Sequence, residues 1–95
     1  MNLDEKIKQH IPQDELLTQL AEESAELSQA ALKLRRALTG INPTPVTVDE
    51  ARKSLVEEAA DVYNVLGLLL DAADNAEIYS IIRRKKARWL KRLDG

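Results

Sequence analysis

Hydrophobic residues recur every three or four positions along most of the chain, which is the spacing of amphipathic helices rather than the strict alternation of strands. Residues 3–11 predict a short helix, which Pro12 ends because proline cannot continue a helix. Residues 14–38 predict a long helix that stops at Gly40, a residue suited to the left-handed turn that follows many helices. The sequence up to this point therefore favours a helical protein.

A loop and a second long helix follow. Residues 41–46 include two prolines and predict a connecting loop. Thr47 and Glu50 have the spacing of a capping box, in which each residue satisfies a backbone N–H of the other, so a second helix is predicted over residues 48–73. Because the connection is short, we expect the two long helices to be antiparallel neighbours.

The third helix is predicted over residues 76–93. Asp74 and Asn75 indicate a break before it, and Asp74 with Glu77 resembles a second capping box. The helix is strongly basic, since residues 83–92 contain seven of the fourteen lysines and arginines. The predicted fold class is all-α, with one domain over residues 1–95: an antiparallel helical hairpin plus a third basic helix.

The second long helix changes character after Asp61. Its apolar positions then lie on nearly every side of the helix: Val62, Val65, Leu66, Leu68, Leu69 and Leu70. A helix that is apolar all round has to be enclosed on most sides, and two neighbouring helices of one chain can hardly provide that, whereas a partner subunit could. We therefore expect a homodimer or homotetramer in which subunits complete a four-helix-type bundle, as is common for chains of this size.

Composition adds little beyond location. The 95 residues carry a net charge of −2 and no cysteine, which excludes disulfides and thiolate chemistry. The acidic N-terminal residues do not have the basic start and apolar run of a signal peptide. The longest apolar run, near residues 65–70, is too short to span a bilayer. We expect a cytoplasmic protein with no membrane partner.

Five carboxylates form two clusters at helical spacing: Glu22, Glu23 and Glu26 in the first long helix, Glu58 and Asp61 in the second. Taken alone, either cluster is most simply a solvated helix surface. However, at about 100° per residue Glu23 falls within roughly 20° of the apolar stripe of its helix. Charge placed against apolar surface costs several kcal/mol unless it is paired or binds a metal.

A divalent cation is the simplest solution. Residues three apart share a helical face, so Glu23 with Glu26 and Glu58 with Asp61 can converge across the hairpin. Two negative charges about 6 Å apart repel by roughly 2.8 kcal/mol at an effective dielectric constant of 20. An all-oxygen site favours Mg²⁺, with Mn²⁺ as a substitute. A ferritin-like di-iron site is excluded because it uses Glu-x-x-His, and the only histidine, His10, lies outside both clusters.

Mg²⁺ held by carboxylates commonly takes substrate phosphates as further ligands, and polyphosphate also needs cations. Lys33 lies two turns beyond Glu26 on the same side of the helix and is one candidate. In the third helix Lys85 shares a side with Trp89 that should pack, so we expect it to point inward with Arg88 beside it. The remaining basic residues of this helix are expected in solvent.

The paired acid motif resembles that of the MazG-like all-α NTP pyrophosphohydrolases, a superfamily that includes the dimeric dUTPases and small phage and bacterial MazG-type proteins. The resemblance covers most of the chain from Asp14 onward, with a spacer of 31 residues between Glu26 and Glu58 that is on the long side. Its parts are Glu22-Glu23-x-x-Glu26, Glu58-x-x-Asp61, the flanking residues 19–23, 31–35 and 57–62, and the basic residues 85–93.

The resemblance implies Mg²⁺-dependent hydrolysis of a nucleoside triphosphate to the monophosphate and pyrophosphate. It implies four metal ligands: Glu23, Glu26, Glu58 and Asp61. It also implies that Glu22 is an outer or second-metal partner, that Glu23 activates the attacking water, and that helices from two subunits complete each site. Lys33, Lys85 and Arg88 would neutralise phosphate charge. The motif does not fix the residues that contact the base; Gln19 and Asn64 are candidates, and a subunit contact explains Asn64 at least as well.

Two other functions are kept as hypotheses. The first is a catalytically silent helical oligomer that binds a metal or nucleotide as a structural or regulatory module. The second is a nucleic-acid-binding module that uses the basic helix, for which binding should depend steeply on salt. The acid clusters and the negative net charge argue against the second function, so we expect no nucleic-acid partner.

Overall fold

The computed structural model describes residues 1–40 and 45–95 of the chain. Within these ranges it contains no strand and four helices: α1 Leu3–His10, α2 Gln13–Thr39, α3 Val48–Leu69 and α4 Ala72–Leu93. The predicted all-α class with a helical hairpin is confirmed. Most of the loop predicted over residues 41–46 falls on residues 41–44, which lie outside the described residues.

Local chemistry explains where the hairpin helices begin and end. Gly40 closes α2 with a φ angle of 70°, and its N–H donates to the carbonyl oxygen of Arg36 at 2.9 Å. At the start of α3, the N–H of Glu50 donates to Thr47 Oγ1 at 3.1 Å, and the N–H of Thr47 donates to Glu50 Oε1 at 3.4 Å. The capping box predicted at Thr47 is therefore confirmed.

The boundary between α3 and α4 differs from the prediction. α3 ends at Leu69 rather than residue 73, Leu70 is extended, and α4 begins at Ala72 rather than residue 76. The box that opens α4 joins Asp71 and Asp74: each backbone N–H donates to the other carboxylate, at 2.8 and 3.0 Å. The break predicted at Asp74 is wrong because Asp74 occupies the third position of the helix, where it caps rather than interrupts.

The core lies along the seam between α2 and α3, the two described helices that pack extensively against each other. The buried side chains are small or medium-sized apolar ones: Leu16, Ala30, Ala51, Val65 and Leu68. The two alanines permit close approach where α2 ends and α3 begins. The leucines and the valine fill the opposite end, where the start of α2 meets the end of α3, so the acid clusters lie between two apolar contacts.

No residue of α4 is buried. Trp89 is 60% exposed and Lys85 is also exposed, so the expectation that this side of the helix packs inward is wrong for the single chain. The radius of gyration is 17.0 Å, whereas a compact protein of this length has a value of about 12 Å. α4 therefore does not lie along the hairpin of its own chain. None of the helices in the described ranges combines the length and apolarity needed to cross a membrane.

Candidate metal centre

The hairpin brings four carboxylates to one place. Glu23 and Glu26 of α2 meet Glu58 and Asp61 of α3, and one oxygen from each lies within 4.8 Å of the other three. The antiparallel packing of the two helices explains why the four carboxylates meet, because an i, i+3 pair on one helix comes opposite an i, i+3 pair on the other. Glu23 and Glu58 are half-buried, and Glu26 and Asp61 are exposed. We call these four residues the acid cluster.

Two oxygens of the acid cluster are buried without a partner. Glu23 Oε2 and Glu58 Oε2 are closed off from solvent, and neither accepts a hydrogen bond from any described residue. An acceptor that is closed off from solvent and lacks a partner is unfavourable, especially when it is charged. These two oxygens therefore mark the position where a cation would be bound.

The electrostatics of the acid cluster point the same way. Restricted solvent access raises the pKa of Glu23 above its ordinary value of 4.5, and the negative charges of Glu26 and then Asp61 raise it further. The pKa of Glu58 is also raised, first by restricted access and then by the charge of Glu26. In the part of the chain that the structure describes, no lysine or arginine forms an ion pair with these acids. A proton or a metal ion is needed to offset the repulsion.

The donor set fits Mg²⁺ or Mn²⁺. All four groups are carboxylates, which are the hard oxygen ligands that these ions prefer. Oxygens on opposite sides of a six-coordinate Mg²⁺ are about 4.2 Å apart. The acid cluster spans 4.8 Å, so a small contraction would bring its oxygens to ligand distance. The exposed edge at Glu26 and Asp61 leaves room for water or other further ligands.

A cavity of about 570 Å³ opens beside the acid cluster, and we call it the α2–α3 cavity. Glu26 and Glu58 form one end of it, and Lys33 lines it as well, so the lysine lies beside the acids. The full lining consists of Glu26, Gln29, Ala30, Leu32, Lys33, Arg36, Ser54 and Glu58. Among the polar residues of this lining, Gln29, Arg36 and Ser54 were given no role in the sequence analysis. Arg36 could have been found from its position, because it follows Lys33 by one helical turn.

A second, smaller cavity of about 310 Å³ lies towards the start of α2. It is lined by Ile11, Glu15, Thr18, Gln19, Glu22 and Glu23. Glu22 is exposed and faces this cavity rather than joining the acid cluster, which agrees with an outer position. Gln19 lines the same cavity and is therefore near the acids. Glu23 belongs to both the cluster and this cavity.

Three of the residues singled out from the sequence lie elsewhere. Lys85 and Arg88 are exposed on α4, which does not pack along the hairpin, so the single chain does not bring them to the acids. Asn64 is exposed on α3 and is not part of the lining of either cavity beside the acids. A direct role for these side chains would require a second subunit or a bound ligand.

Comparisons with protein-family models, with curated proteins and with solved structures gave no match for this chain. The resemblance of the acid motif to MazG-like enzymes therefore stays a prediction.

Proposed function

We propose that the chain is a Mg²⁺-dependent nucleoside triphosphate pyrophosphohydrolase, which converts a (d)NTP and water into the (d)NMP and pyrophosphate. The observation that carries the proposal is the acid cluster, with a buried oxygen lacking a partner on both Glu23 and Glu58. The motif resemblance supplies the reaction. The proposed role is house-cleaning of the nucleotide pool in the cytoplasm.

In this proposal the four carboxylates of the acid cluster hold the metal. A bound Mg²⁺ lowers the pKa of water and stabilises the charge that develops on phosphate oxygens. Glu23 accepts the proton of the attacking water, and its position in both the acid cluster and the smaller cavity suits that role. The water oxygen bonds to a phosphorus of the α–β anhydride, the bridging P–O bond breaks, and the leaving phosphate group keeps the electron pair. Lys33 balances phosphate charge from the α2–α3 cavity.

A second subunit is part of the proposal. The chain exposes 7812 Å² of surface, whereas a compact protein of 10.7 kDa exposes about 5,500 Å². The excess of roughly 2,300 Å² exceeds the ~800 Å² that each partner buries in a standard interface. The exposed α4 carries half of the basic residues, so α4 of one subunit complements the acids of another. In a homodimer or homotetramer this would bring Lys85 and Arg88 to the phosphates.

The test is pyrophosphate release from a panel of NTPs, dNTPs and modified nucleotides, with Mg²⁺, Mn²⁺ or EDTA. We expect the monophosphate and pyrophosphate to form in equal amounts, with either metal but not with EDTA. Substitution Glu58→Gln should abolish the reaction, and Glu57→Gln is the matched control because Glu57 is an exposed neighbour outside the acid cluster. Mg²⁺ binding without turnover of any nucleotide would refute the enzyme and support the catalytically silent metal-binding oligomer.

A further inference from the structure

The α2–α3 cavity is electrically polarised. Glu26 and Glu58 line one end, and Lys33 and Arg36 line the part nearer the end of α2. Among the residues that the structure describes, neither cation forms an ion pair or a side-chain hydrogen bond. Cations and acids thus share one cavity without neutralising each other. A ligand that carries a divalent cation at one end and negative charge at the other would satisfy both.

The geometry of α2 directs both cations towards the acid cluster. Lys33 and Arg36 follow Glu26 by seven and ten residues, which is about 10 and 15 Å along the helix axis. Helical side chains tilt towards the N-terminus of their helix, so long basic side chains on later turns reach back towards earlier ones. Arg36 is half-buried although it is charged, which agrees with its place in the cavity wall.

The simpler explanation for Arg36 is its favourable interaction with the negative end of α2, where it lies in the last turn. That explanation would apply almost as well to the neighbouring Arg35, which lies one residue before the last turn. Arg35, however, is exposed and is not part of the cavity lining. The two arginines have the same charge and nearly the same position along the helix. Comparing them therefore distinguishes an effect of the helix end from an effect of the cavity.

We propose that Arg36, together with Lys33, binds the terminal phosphates of the substrate, so that the polyphosphate runs from the acid cluster along α2 towards its C-terminal end. The guanidinium group can hold two phosphate oxygens at once, and this geometry distinguishes it from lysine. Ser54 lines the cavity from α3 and offers a hydroxyl donor. This inference rests on the proposed function, because it assigns the pyrophosphate end of that substrate.

The test is calorimetric binding of inorganic tripolyphosphate to the full chain, in the presence of Mg²⁺. Arg36→Gln should weaken binding by about tenfold, as expected for the loss of a hydrogen bond to a charged group. Arg36→Lys should recover part of the affinity, because it restores the charge without the fork of donors. Arg35→Gln should bind like the wild type. Circular dichroism and thermal melting of each variant check that α2 is intact, and Arg36→Lys carries the test if Arg36→Gln does not fold.

The inference is overturned if Arg36→Gln binds tripolyphosphate as well as Arg35→Gln does, or if the wild type binds Mg²⁺ but no tripolyphosphate. Failure of the proposed function has a different signature. Tripolyphosphate binding that depends on Arg36, with no hydrolysis of any nucleotide, would refute the reaction and keep the anion site. Normal hydrolysis by Arg36→Gln with an unchanged KM would keep the reaction and refute the anion site.

Discussion

α3 and α4 have the same length, 22 residues, and each begins with a capping box, yet they differ in almost everything else. α3 packs against α2 and buries Ala51, Val65 and Leu68, whereas α4 buries nothing. Local signals are therefore enough to define a helix here, but burial depends on whether a complementary surface is available. The acids follow the same division, because they lie in the packed seam, while most of the bases lie on the exposed helix.

The difference also explains where chemistry is expected. In the seam, packing fixes the positions of Glu23 and Glu58 and keeps water and hydrogen-bond donors from one oxygen of each. On α4, the side chains of Lys85 and Arg88 are free to be hydrated, and their charges are screened. A preorganised cation site can therefore form within one chain, whereas the contribution of α4 needs a partner.

Besides Glu58→Gln, the largest effect is expected from Asp61→Asn, which keeps the shape of the side chain but removes its charge from the acid cluster. We expect pyrophosphate release to fall by at least about 100-fold, because loss of a ligand should cost at least as much as loss of a residue that only supports a ligand. The measurement is initial rate at saturating Mg²⁺, with calorimetry of Mg²⁺ binding as a second readout. Activity like that of Glu57→Gln would remove the acid cluster from the mechanism.

The second prediction compares the loss of stability when a leucine of the α2–α3 seam or a leucine of α4 is replaced by alanine. Leu68 is 7% exposed, so Leu68→Ala should lower the free energy of unfolding by about 2–5 kcal/mol at every protein concentration. Leu90 is 58% exposed, so Leu90→Ala should change the free energy of unfolding by no more than about 0.5 kcal/mol in dilute solution. If another subunit covers α4, the destabilisation by Leu90→Ala should grow with protein concentration.

Urea denaturation followed by circular dichroism, over a range of protein concentrations, measures both variants. Sedimentation reports the association state in parallel. If Leu90→Ala were as costly as Leu68→Ala in dilute solution, α4 would have to pack on its own hairpin, and the contrast between the two helices would be lost. A concentration-independent, small effect of Leu90→Ala would argue against α4 as the subunit contact.

Much of the hairpin could be predicted from the sequence because its signals are local. The apolar spacing, Gly40 and the Thr47 capping box each act within one or two turns, and the structure has α2 and α3 beginning within a residue of their predicted starts. The acid cluster could be anticipated because i, i+3 pairs on antiparallel neighbours meet once the helices pack. The resemblance to MazG-like enzymes added the reaction, which spacing alone does not specify.

The errors arose where local signals competed or where a contact was not local. The only glycine near the leucine-rich end of α3, Gly67, lies inside the helix and does not end it, and Asp71 and Asp74 form a capping box three residues before the predicted one. The inward position of Lys85 was inferred from an amphipathic pattern that no other helix in the described part of the chain covers. Arg36 follows Lys33 by one helical turn, a signal that was not used, whereas Ser54 lies on the other helix and lines the cavity only once the hairpin has packed.

A smaller effect tests the revised start of α4. Asp71→Ala removes the side chain that accepts the N–H of Asp74 and should cost about 1 kcal/mol of stability, whereas Asp71→Asn should cost little, since asparagine caps equally well. Glu77→Gln should be nearly neutral. The measurement is urea denaturation of the three variants. A larger loss for Glu77→Gln than for Asp71→Ala would restore the later boundary and move the first turn of α4 out of the helix.

The smallest effect is a dependence of the metal-free protein on pH. Glu23 and Glu58 have a pKa above 4.5 in the folded chain, so the folded state takes up protons at a higher pH than the unfolded one. The free energy of unfolding of the metal-free protein should therefore increase as the pH falls from 7 through the raised pKa values towards 4.5. It should decrease again when the pH is brought back to 7. The double variant Glu23→Gln, Glu58→Gln should flatten this profile.

Melting temperatures in EDTA and in saturating Mg²⁺, recorded between pH 5 and 8, measure this effect. With Mg²⁺ the sign should reverse, because the metal binds only the ionised carboxylates and is displaced as they take up protons. The contradicting result would be a melting temperature of the metal-free wild type that falls with decreasing pH, with no such fall in the double variant. That result would mean that the protein stabilises the ionised carboxylates without a metal. A structural network of side chains would then explain the acid cluster better than a metal centre.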